Sequence, residues 1–296
     1  MKVLMCPPTF FKVQWEINPF MDKNNQPDPL KARLEWLMLI ETYLQLGVEV
    51  KILRPRPNLH DMVYTANAGW GRKSVFILSK FRHKERRDEI KFYEEWFKTN
   101  GFKAIKMPNR QDEPPYFEGQ GDLITTNKEY LFGWGIRSSF AAGKYISENL
   151  FLGRKIISLQ LINKNFYHLD TCFFSWKPLD FIMYYPQAFN SESLKKIKAL
   201  DLDKIEVTRE EAMNLVCNSV YYETTAIISG AGERLLEQFQ GRKFMLFRVK
   251  SIEDLPLVFK EYRKISKKTP KIIVLPKPTE LLKAGGSYRC CSLFLD

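Results

Sequence analysis

The segment GGSYRCCSLFLD places two adjacent cysteines, Cys290 and Cys291, shortly after a pair of glycines. Neighbouring cysteines reach the geometry of a disulfide only under strain, so a bridge between them does not explain the pair. The glycines allow a tight backbone approach that would expose a sulfur at the start of a final strand, CSLFL. A thiolate is a strong nucleophile, so the segment is a candidate for covalent chemistry. The alternative, a small buried apolar side chain, is our interpretation of Cys6, Cys172 and Cys217.

The segment FYHLDTCF places His168 and Asp170 two residues apart in an aromatic, strand-like run. In a strand, these two side chains would point to the same face. A polar pair in an apolar run needs hydrogen-bond partners when it is buried, so one interpretation is a satisfied pair in the core. The other is general acid and base chemistry, for which a histidine beside a carboxylate is suited.

Two further segments combine polar side chains with turn residues. In HDMVYTANAG, Asp61 and Asn67 are an even number of positions apart, which puts both on one face if the segment is a strand. In YFEGQGDLI, Glu118 and Asp122 flank glycines, which let backbone or a ligand approach closely. Taken alone, each segment is explained at least as well by a turn.

Alternating strand-like and helix-like runs must hold these segments in place. KVLMC, VEVKIL, SVFILS and FKAIKM have the apolar character of strands, and helical runs separate them. One helix has Asp28 as a suitable N-cap and Gly47 as a stop, a second ends at Gly101, and a third opens with the capping box TREE at Thr208. The pattern predicts an α/β fold. Because no linker-like segment interrupts it, we expect one domain over residues 1–296.

The composition is that of an ordinary globular protein, with 296 residues, 45% hydrophobic and 27% charged, which argues against disorder. The first residues carry too short an apolar run for a signal peptide or a membrane span, so we expect a cytoplasmic protein with no membrane partner. The five cysteines lack CxxC spacing and the three histidines lack zinc spacing. These patterns predict reduced thiols and no structural metal.

A formal net charge of +12 accompanies the basic clusters KFRHKERR and KEYRKISKK. A solvated basic surface is the simpler interpretation, and an anionic or nucleic-acid partner is the alternative. No motif of a known nucleic-acid-binding fold accompanies the charge, so nucleic acid is the lesser alternative.

Taken together and in this order, the segments resemble the guanidine-modifying enzymes, which comprise arginine deiminases, dimethylarginine hydrolases and amidinotransferases. INPFM, DMVYTANAG, SKFRHKER, FEGQGD, FYHLDTCF and LLKAGGSYRC are most similar to the arginine dihydrolase module that cyanobacteria fuse to an ornithine cyclodeaminase. The resemblance covers nearly the whole chain. It implies the pentein fold, in which five ββαβ-type units surround a pseudo-fivefold axis, and it implies no cofactor.

Carried over by position, the resemblance implies that Cys290 is the nucleophile, that its neighbour Cys291 packs, and that His168 is the general acid and base. Glu118 and Asp170 match the carboxylates that hold the guanidinium. The groups that would bind the rest of a small guanidino substrate are Arg86 and Arg137 for its carboxylate, Asp61 for its α-amino group, and Asn18, Asn67 and Asp122 as further candidates.

The chemistry of a guanidinium fits this assignment. It is a planar cation that carboxylates hold through paired hydrogen bonds, which presents its carbon to sulfur. Cys290 reacts as a thiolate, and either the bound cation or protonated His168 would lower its pKa. His168 would then protonate the departing ammonia and deprotonate the water that cleaves a thiouronium intermediate.

Many relatives have an aspartate at the position of Asn67. The asparagine of this chain resembles the dihydrolase group instead. A neutral amide tolerates a ureido group better than a carboxylate does, so the resemblance implies conversion of arginine to ornithine, carbon dioxide and ammonia. The alternatives are deimination to citrulline, dimethylarginine hydrolysis, amidino transfer, and a non-catalytic basic binding module. The basic stretch at residues 250–270 and the missing cyclodeaminase half depart from the module, so regulation and assembly, including a homo-oligomer, stay open.

Overall fold

The computed structural model describes residues 1–110, 113–149 and 153–295. Short strands and helices alternate along the chain, as the sequence predicts. The strands are β1 Lys2–Met5, β2 Glu49–Ile52, β3 Gly69–Arg72, β4 Val75–Leu78, β5 Lys103–Ile105, β6 Leu123–Thr125, β7 Tyr130–Trp134, β8 Ile156–Gln160, β9 Phe173–Trp176, β10 Phe181–Tyr184, β11 Asp203–Glu206, β12 Val220–Tyr222, β13 Thr225–Ser229, β14 Met245–Arg248, β15 Lys271–Leu275 and β16 Leu293–Phe294. The α-helices are α1 Pro29–Gln45, α2 Ile90–Thr99, α3 Phe140–Asn149, α4 Leu169–Cys172, α5 Ser191–Lys198, α6 Arg209–Met213, α7 Glu233–Gly241 and α8 Leu255–Tyr262.

Within the described residues, the strands form five small sheets, with the orders β16-β1-β2, β3-β4-β5, β6-β7-β8, β9-β10-β11 and β12-β13-β15-β14. In each sheet an antiparallel pair is followed by a parallel pair, such as β3 with β4 and β4 with β5. A parallel pair needs a crossover connection, and helices such as α1, α2, α3 and α5 supply it. The ββαβ order is thus continuous along the chain in three sheets. In the β16-β1-β2 sheet the antiparallel strand comes from the other end of the chain, and the four-stranded sheet has the additional strand β14.

The helix boundaries follow the predicted signals. The Asp28 carboxylate accepts hydrogen bonds from two backbone amides in the first turn of α1, and Gly47, with a φ of 79°, ends it. Thr208 forms the predicted capping box at the start of α6. Gly101 follows α2 with a φ of 81°. These predictions depended only on local chemistry, which is why they are confirmed.

The segments that carry chemistry are less extended than predicted. HDMVYTANAG forms two 3-10 helices, His60–Val63 and Thr65–Ala68. His168 caps α4, so the strand predicted through FYHLDTCF begins only at Phe173. For HDMVYTANAG the turn alternative is confirmed, whereas the strand predicted through FYHLDTCF was wrong at His168–Cys172. Buried polar groups need local partners, and this turn supplies them: the His168 carbonyl accepts hydrogen bonds from the amide and hydroxyl of Thr171.

The final strand predicted at CSLFL is reduced to β16, and Cys290 and Cys291 lie in the turn before it. The five cysteines are all buried and unpaired. The basic stretch at 250–270 forms α8 and a largely exposed turn before β15.

Over residues 1–110, 113–149 and 153–295, no helix has both the length and the apolar character to cross a membrane. The same ranges contain no group of three or more histidine, cysteine, aspartate and glutamate side chains placed to hold a metal ion.

Candidate active site

A small cavity brings together side chains from distant parts of the chain. Its volume of about 10 Å³ leaves room for about one water molecule. We call it the Cys290 cavity; the predicted site residues that line it are Asn18, Asp61, Asn67, Arg86, Arg137, His168 and Cys290, and the remaining lining residues are Ile17, Met21, Tyr64, Tyr167, Ala284 and Gly286. Three predicted residues, Glu118, Asp122 and Asp170, lie outside this lining. The tertiary fold thus collects most of the predicted residues in one place.

His168 and Glu118 form a buried pair beside the cavity. The His168 Nε2 atom lies 2.8 Å from a Glu118 carboxylate oxygen, and both side chains are almost fully buried. Burial lowers the pKa of His168 to about 4, although Glu118 opposes this effect. Burial alone would raise the pKa of Glu118, but the charge of Arg137 and the hydrogen bond from His168 hold it well below its usual range. At neutral pH the imidazole is therefore neutral, with Nε2–H donating to Glu118 and Nδ1 left as an acceptor.

The neutral state of His168 bears on how Cys290 ionises. The sequence suggested two sources of positive charge, protonated His168 and a bound cation. With a pKa of about 4, the imidazole does not carry that charge at neutral pH. Of these two sources, only the bound cation is compatible with a neutral His168.

Gly121 allows Asn67 and His168 to approach the FEGQGD turn. A Cβ atom at this position would lie 2.5 Å from the Asn67 amide nitrogen and 3.3 Å from the His168 ring. The turn itself is a 3-10 helix, Gly119–Gly121. A side chain at position 121 would therefore push apart the two groups whose proximity the site needs.

Arg86 is held by Glu89, a residue that the sequence analysis missed. The Arg86 Nε and Nη2 atoms donate to the two oxygens of Glu89 at 2.9 Å, and both side chains are buried. Arg86 Nη1 donates to the Asn67 side-chain oxygen at 2.9 Å. That bond turns the Asn67 amide nitrogen toward His168 Nδ1, 3.5 Å away. The i,i+3 spacing of arginine and glutamate in KERRDE was the available signal.

Arg137 and Asp61 both have a buried atom without a hydrogen-bond partner among the described residues. Arg137 donates from Nη1 to Glu118 at 3.1 Å and from Nη2 to the Ile17 carbonyl at 2.9 Å, while its Nε atom has no partner. Asp61 accepts a hydrogen bond from the Trp15 indole at 2.8 Å through one oxygen, and its other oxygen has no partner. Burial raises the pKa of Asp61. The two atoms offer a donor and an acceptor of opposite charge to a ligand.

Asn218 holds the loop that carries Cys290 and was also missed. Its amide nitrogen donates to the Cys290 sulfur and to the Asp170 carbonyl, both at 3.2 Å. Its amide oxygen accepts from the backbone amides of Ser287 and Cys290. One buried asparagine therefore sets the position of the thiol. The signal was the polar residue inside the apolar run LVCNSVYY, because such a residue must be hydrogen-bonded.

Asp170 lies behind the thiol, with one carboxylate oxygen 3.9 Å from the Cys290 sulfur and the other without a partner. Burial raises the pKa of Asp170 to about 7. Burial and the Asp170 charge likewise raise the pKa of the Cys290 thiol. Burial therefore disfavours the charged form of both groups, and a positive charge beside them would favour it.

Cys291 packs in an apolar cluster and is fully buried. Its backbone is a turn and not the start of the final strand that the sequence predicts. Gly285, with a φ of 85°, shapes the approach to this turn, and its carbonyl accepts a hydrogen bond from the Tyr167 hydroxyl at 2.6 Å.

Asp122 does not reach the cavity, contrary to the prediction that it binds substrate. One of its oxygens accepts from the Ser138 hydroxyl at 2.6 Å and the other from the Leu169 amide at 3.0 Å. It thus ties the FEGQGD turn to the start of α4. Asn18 does line the cavity, and its amide nitrogen donates to the Ala284 carbonyl at 3.1 Å.

Comparison with known proteins identifies the family of this chain. A family model described as eukaryotic N,N dimethylarginine dimethylhydrolase matches residues 12–294. The chain is 32% identical to the bifunctional arginine dihydrolase/ornithine cyclodeaminase AgrE of Nostoc, with 99% of the chain and 37% of AgrE aligned. It is also 32% identical to the N(G),N(G)-dimethylarginine dimethylaminohydrolase of Mycobacterium tuberculosis, with 98% and 84% aligned. The chain thus spans little more than a third of the bifunctional relative.

Solved structures give the same result. The N-terminal domain of ArgZ, described as an arginine dihydrolase from the ornithine–ammonia cycle in cyanobacteria, superposes with a TM-score of 0.80 at 31% identity, covering 99% of this chain and 97% of that one. A dimethylarginine dimethylaminohydrolase adduct superposes with a TM-score of 0.69 at 17% identity, which shows a shared fold. Its homologues are hydrolases that act on the carbon–nitrogen bonds of guanidino groups, and this chain belongs to the dimethylarginine dimethylaminohydrolase family, within the pentein superfamily.

Proposed function

We propose that this chain is an arginine dihydrolase that converts arginine to ornithine, carbon dioxide and ammonia through a covalent bond to Cys290. Three unpartnered buried atoms carry the proposal: an Asp61 oxygen, the Arg137 Nε atom and an Asp170 oxygen. The Asp61 oxygen complements the α-ammonium group of arginine, the Arg137 Nε atom its carboxylate, and the Asp170 oxygen its guanidinium group. Arginine is larger than the Cys290 cavity, so part of the lining must move when it binds.

The first half of the reaction removes one guanidinium nitrogen. A cation bound between Asp170 and Cys290 would offset the burial that keeps the thiol protonated, and neutral His168 would take the proton on Nδ1. The thiolate would attack the guanidinium carbon, and His168 would return the proton to the nitrogen that leaves as ammonia. Water, deprotonated by His168, would then attack the thiouronium carbon and release citrulline and the thiol.

The second half repeats the cycle on citrulline. Attack on the ureido carbon expels a second ammonia, and hydrolysis of the resulting thiocarbamate yields a carbamate that loses carbon dioxide to leave ornithine. In total, one arginine and two water molecules give ornithine, carbon dioxide and two ammonia molecules, so no oxidant or other co-reactant is needed.

The orientation of Asn67 favours this second round. Arg86 occupies the Asn67 oxygen, so the side-chain group that faces His168 is the amide N–H. A hydrogen donor suits the carbonyl oxygen of a ureido group and does not suit the N–H groups of a guanidinium. An aspartate would present an acceptor instead. Citrulline is therefore expected to be held long enough to react again.

Dimethylarginine hydrolysis is the second candidate, favoured by the family model and by the Mycobacterium tuberculosis relative. Its product would be citrulline with release of dimethylamine. The two candidates share the thiol chemistry and differ in the groups that the cavity accepts beside the guanidinium carbon.

A product analysis tests the proposal. The purified chain is incubated separately with arginine, citrulline, agmatine and dimethylarginine, and products are identified by mass spectrometry at matched conversion. Ornithine from both arginine and citrulline is expected. Citrulline as the sole product from arginine would contradict the dihydrolase assignment, and dimethylamine release would support the second candidate. The Cys290→Ser variant serves as the control for contaminating activity.

We also infer that the five sheets of a single domain surround one pseudo-fivefold axis. The inference is supported by the recurring ββαβ pattern and by a cavity that β3, β6, β9, β12 and β16, one edge strand of each sheet, line together.

A further inference from the structure

A second and larger cavity lies behind the reactive thiol. It has a volume of about 370 Å³ and shares no lining residue with the Cys290 cavity. Asp170 and Arg289 line it, and the contact between Asp170 and Cys290 connects the two regions. We call it the Arg289 cavity. Its size falls in the range of small-molecule sites.

The lining of the Arg289 cavity combines aromatic surfaces with positive charge. The aromatic residues are Trp70, Tyr130, Phe173, Phe174, Tyr221 and Phe294. The cationic residues are Arg72, Arg154, Lys177 and Arg289, and Asp170 is the one acidic residue among the described residues that line it. Such a lining suits an anion with an apolar or planar body.

Among the described residues, two of these cations, Arg289 and Arg154, are oriented by hydrogen bonds to neutral oxygens. Arg289 donates to the carbonyl of Ser292 and to the backbone and side-chain oxygens of Gln120, and Arg154 donates to the carbonyl of Thr126. These acceptors are neutral oxygens, so the guanidinium groups are positioned without a carboxylate partner. A cluster of this kind attracts an anion.

We propose that the Arg289 cavity binds a small anionic molecule that carries a phosphate or carboxylate group, and that this anion slows the chemistry of Cys290. The expected effect on Cys290 follows from the position of Arg289. Arg289 precedes Cys290 in the chain and lines the cavity together with Asp170, whose carboxylate lies 3.9 Å from the Cys290 sulfur. Burial raises the pKa of the Cys290 thiol, and the positive charge of Arg289 acts in the opposite direction, in favour of the thiolate. An anion against Arg289 offsets that charge, so the thiol is harder to ionise.

Calorimetric titration of the full chain tests the binding. Inorganic phosphate and adenosine monophosphate are titrated separately at fixed ionic strength, the second probe adding a planar group to the same anion. We expect saturable binding that weakens about tenfold in Arg154→Gln and in Lys177→Gln, because each variant removes one cation from the lining. Lys155→Gln is the matched control: it removes the same charge one position away, outside the lining, and should bind as the unmodified chain does.

Two results would overturn the site. One is the absence of saturable binding for both probes. The other is unchanged binding in both Arg154→Gln and Lys177→Gln, which would place the anion elsewhere, for example against the arginines of the Cys290 cavity.

Alkylation of Cys290 tests the inhibitory effect without any need for turnover. The rate with iodoacetamide is followed by fragment-ion mass spectrometry, which separates Cys290 from Cys291, with and without saturating phosphate. We expect phosphate to slow alkylation severalfold in the unmodified chain and in Lys155→Gln, and Arg154→Gln should need about tenfold more phosphate for the same effect. An unchanged or faster rate would contradict the inhibitory effect, whatever the enzyme's product proves to be.

Discussion

Glu118 and Asp170 lie in two regions of the site, one beside His168 and the other beside Cys290, and both carboxylates are buried. Glu118 contacts Arg137 and His168, and its pKa lies well below the usual range despite burial. Asp170 has no ion-pair partner among the described residues, and burial raises its pKa to about 7. The comparison teaches that burial sets the cost of a charge, but a paired cation decides whether it forms. We call the Glu118 region, whose carboxylate is ion-paired, the complete region, and the Asp170 region, where one carboxylate oxygen has no hydrogen-bond partner among the described residues, the incomplete region.

The largest effect on turnover is expected at the Cys290 sulfur, which lies beside Asp170 in the incomplete region. Replacing Cys290 with serine is expected to reduce turnover of arginine at least about a thousandfold, because the covalent step needs the sulfur. Cys291→Ser is the matched control and should retain most activity, since Cys291 packs in the apolar cluster. Steady-state rates measure both. Equal losses in the two variants would refute the assignment of the nucleophile.

Breaking the complete region should cost stability as well as activity. Glu118→Gln leaves the Arg137 guanidinium buried without its carboxylate, and losing one partner of such a pair typically destabilises a protein by roughly 3 kcal/mol. Urea denaturation at pH 7 measures the change in the free energy of unfolding. Glu94→Gln, at a carboxylate whose partners Lys98 and Lys106 are largely exposed, is the control. If Glu118→Gln loses no more unfolding free energy than Glu94→Gln, the ion pair of Glu118 does not stabilise the site as we infer.

Asp170→Asn should instead change how stability depends on pH. The pKa of Asp170 is about 7 in the folded chain and near 3.8 in the unfolded chain. Between these values the folded state binds the extra proton, so the free energy of unfolding falls as pH rises from about 4 to 7 and then levels.

The variant lacks this contribution. Its stability relative to the unmodified chain should therefore rise over that window, by at most roughly 1.4 kcal/mol per pH unit, and stay constant above pH 7. Denaturation at pH 4.5, 6 and 8 measures the difference. If it is the same at all three values, Asp170 is not protonated in the folded chain.

The smallest expected effect concerns Asn67, which faces the His168 side of the site. Asn67→Asp should shift the product from ornithine toward citrulline, because a carboxylate favours the cationic substrate over the neutral ureido group. A difference of about 1.4 kcal/mol in relative binding changes the ratio about tenfold. Mass spectrometry at matched conversion gives that ratio. Ornithine as the main product of both proteins would remove Asn67 as the cause of the second round.

Much of the local structure could be predicted from the sequence. The N-cap at Asp28, the stop at Gly47 and the capping box at Thr208 depend on neighbouring residues alone, so the local pattern was sufficient. The order of the chemical segments also indicated the family, because catalytic groups must keep their types and spacing for the reaction to work. His168 and Cys290 could therefore be predicted as catalytic residues from the sequence, and the fold places both at one cavity.

Only the tertiary structure decided which charges are paired and which are not. Glu89 and Asn218 take their roles from contacts with Arg86 and Cys290, and Asp122 loses its predicted role because Ser138 and Leu169 occupy its oxygens. The opposite pKa shifts of Glu118 and Asp170, two carboxylates that look alike in the sequence, have the same origin. Burial and the distance to the nearest cation determine a buried charge, and both are properties of residues brought together from distant positions in the chain.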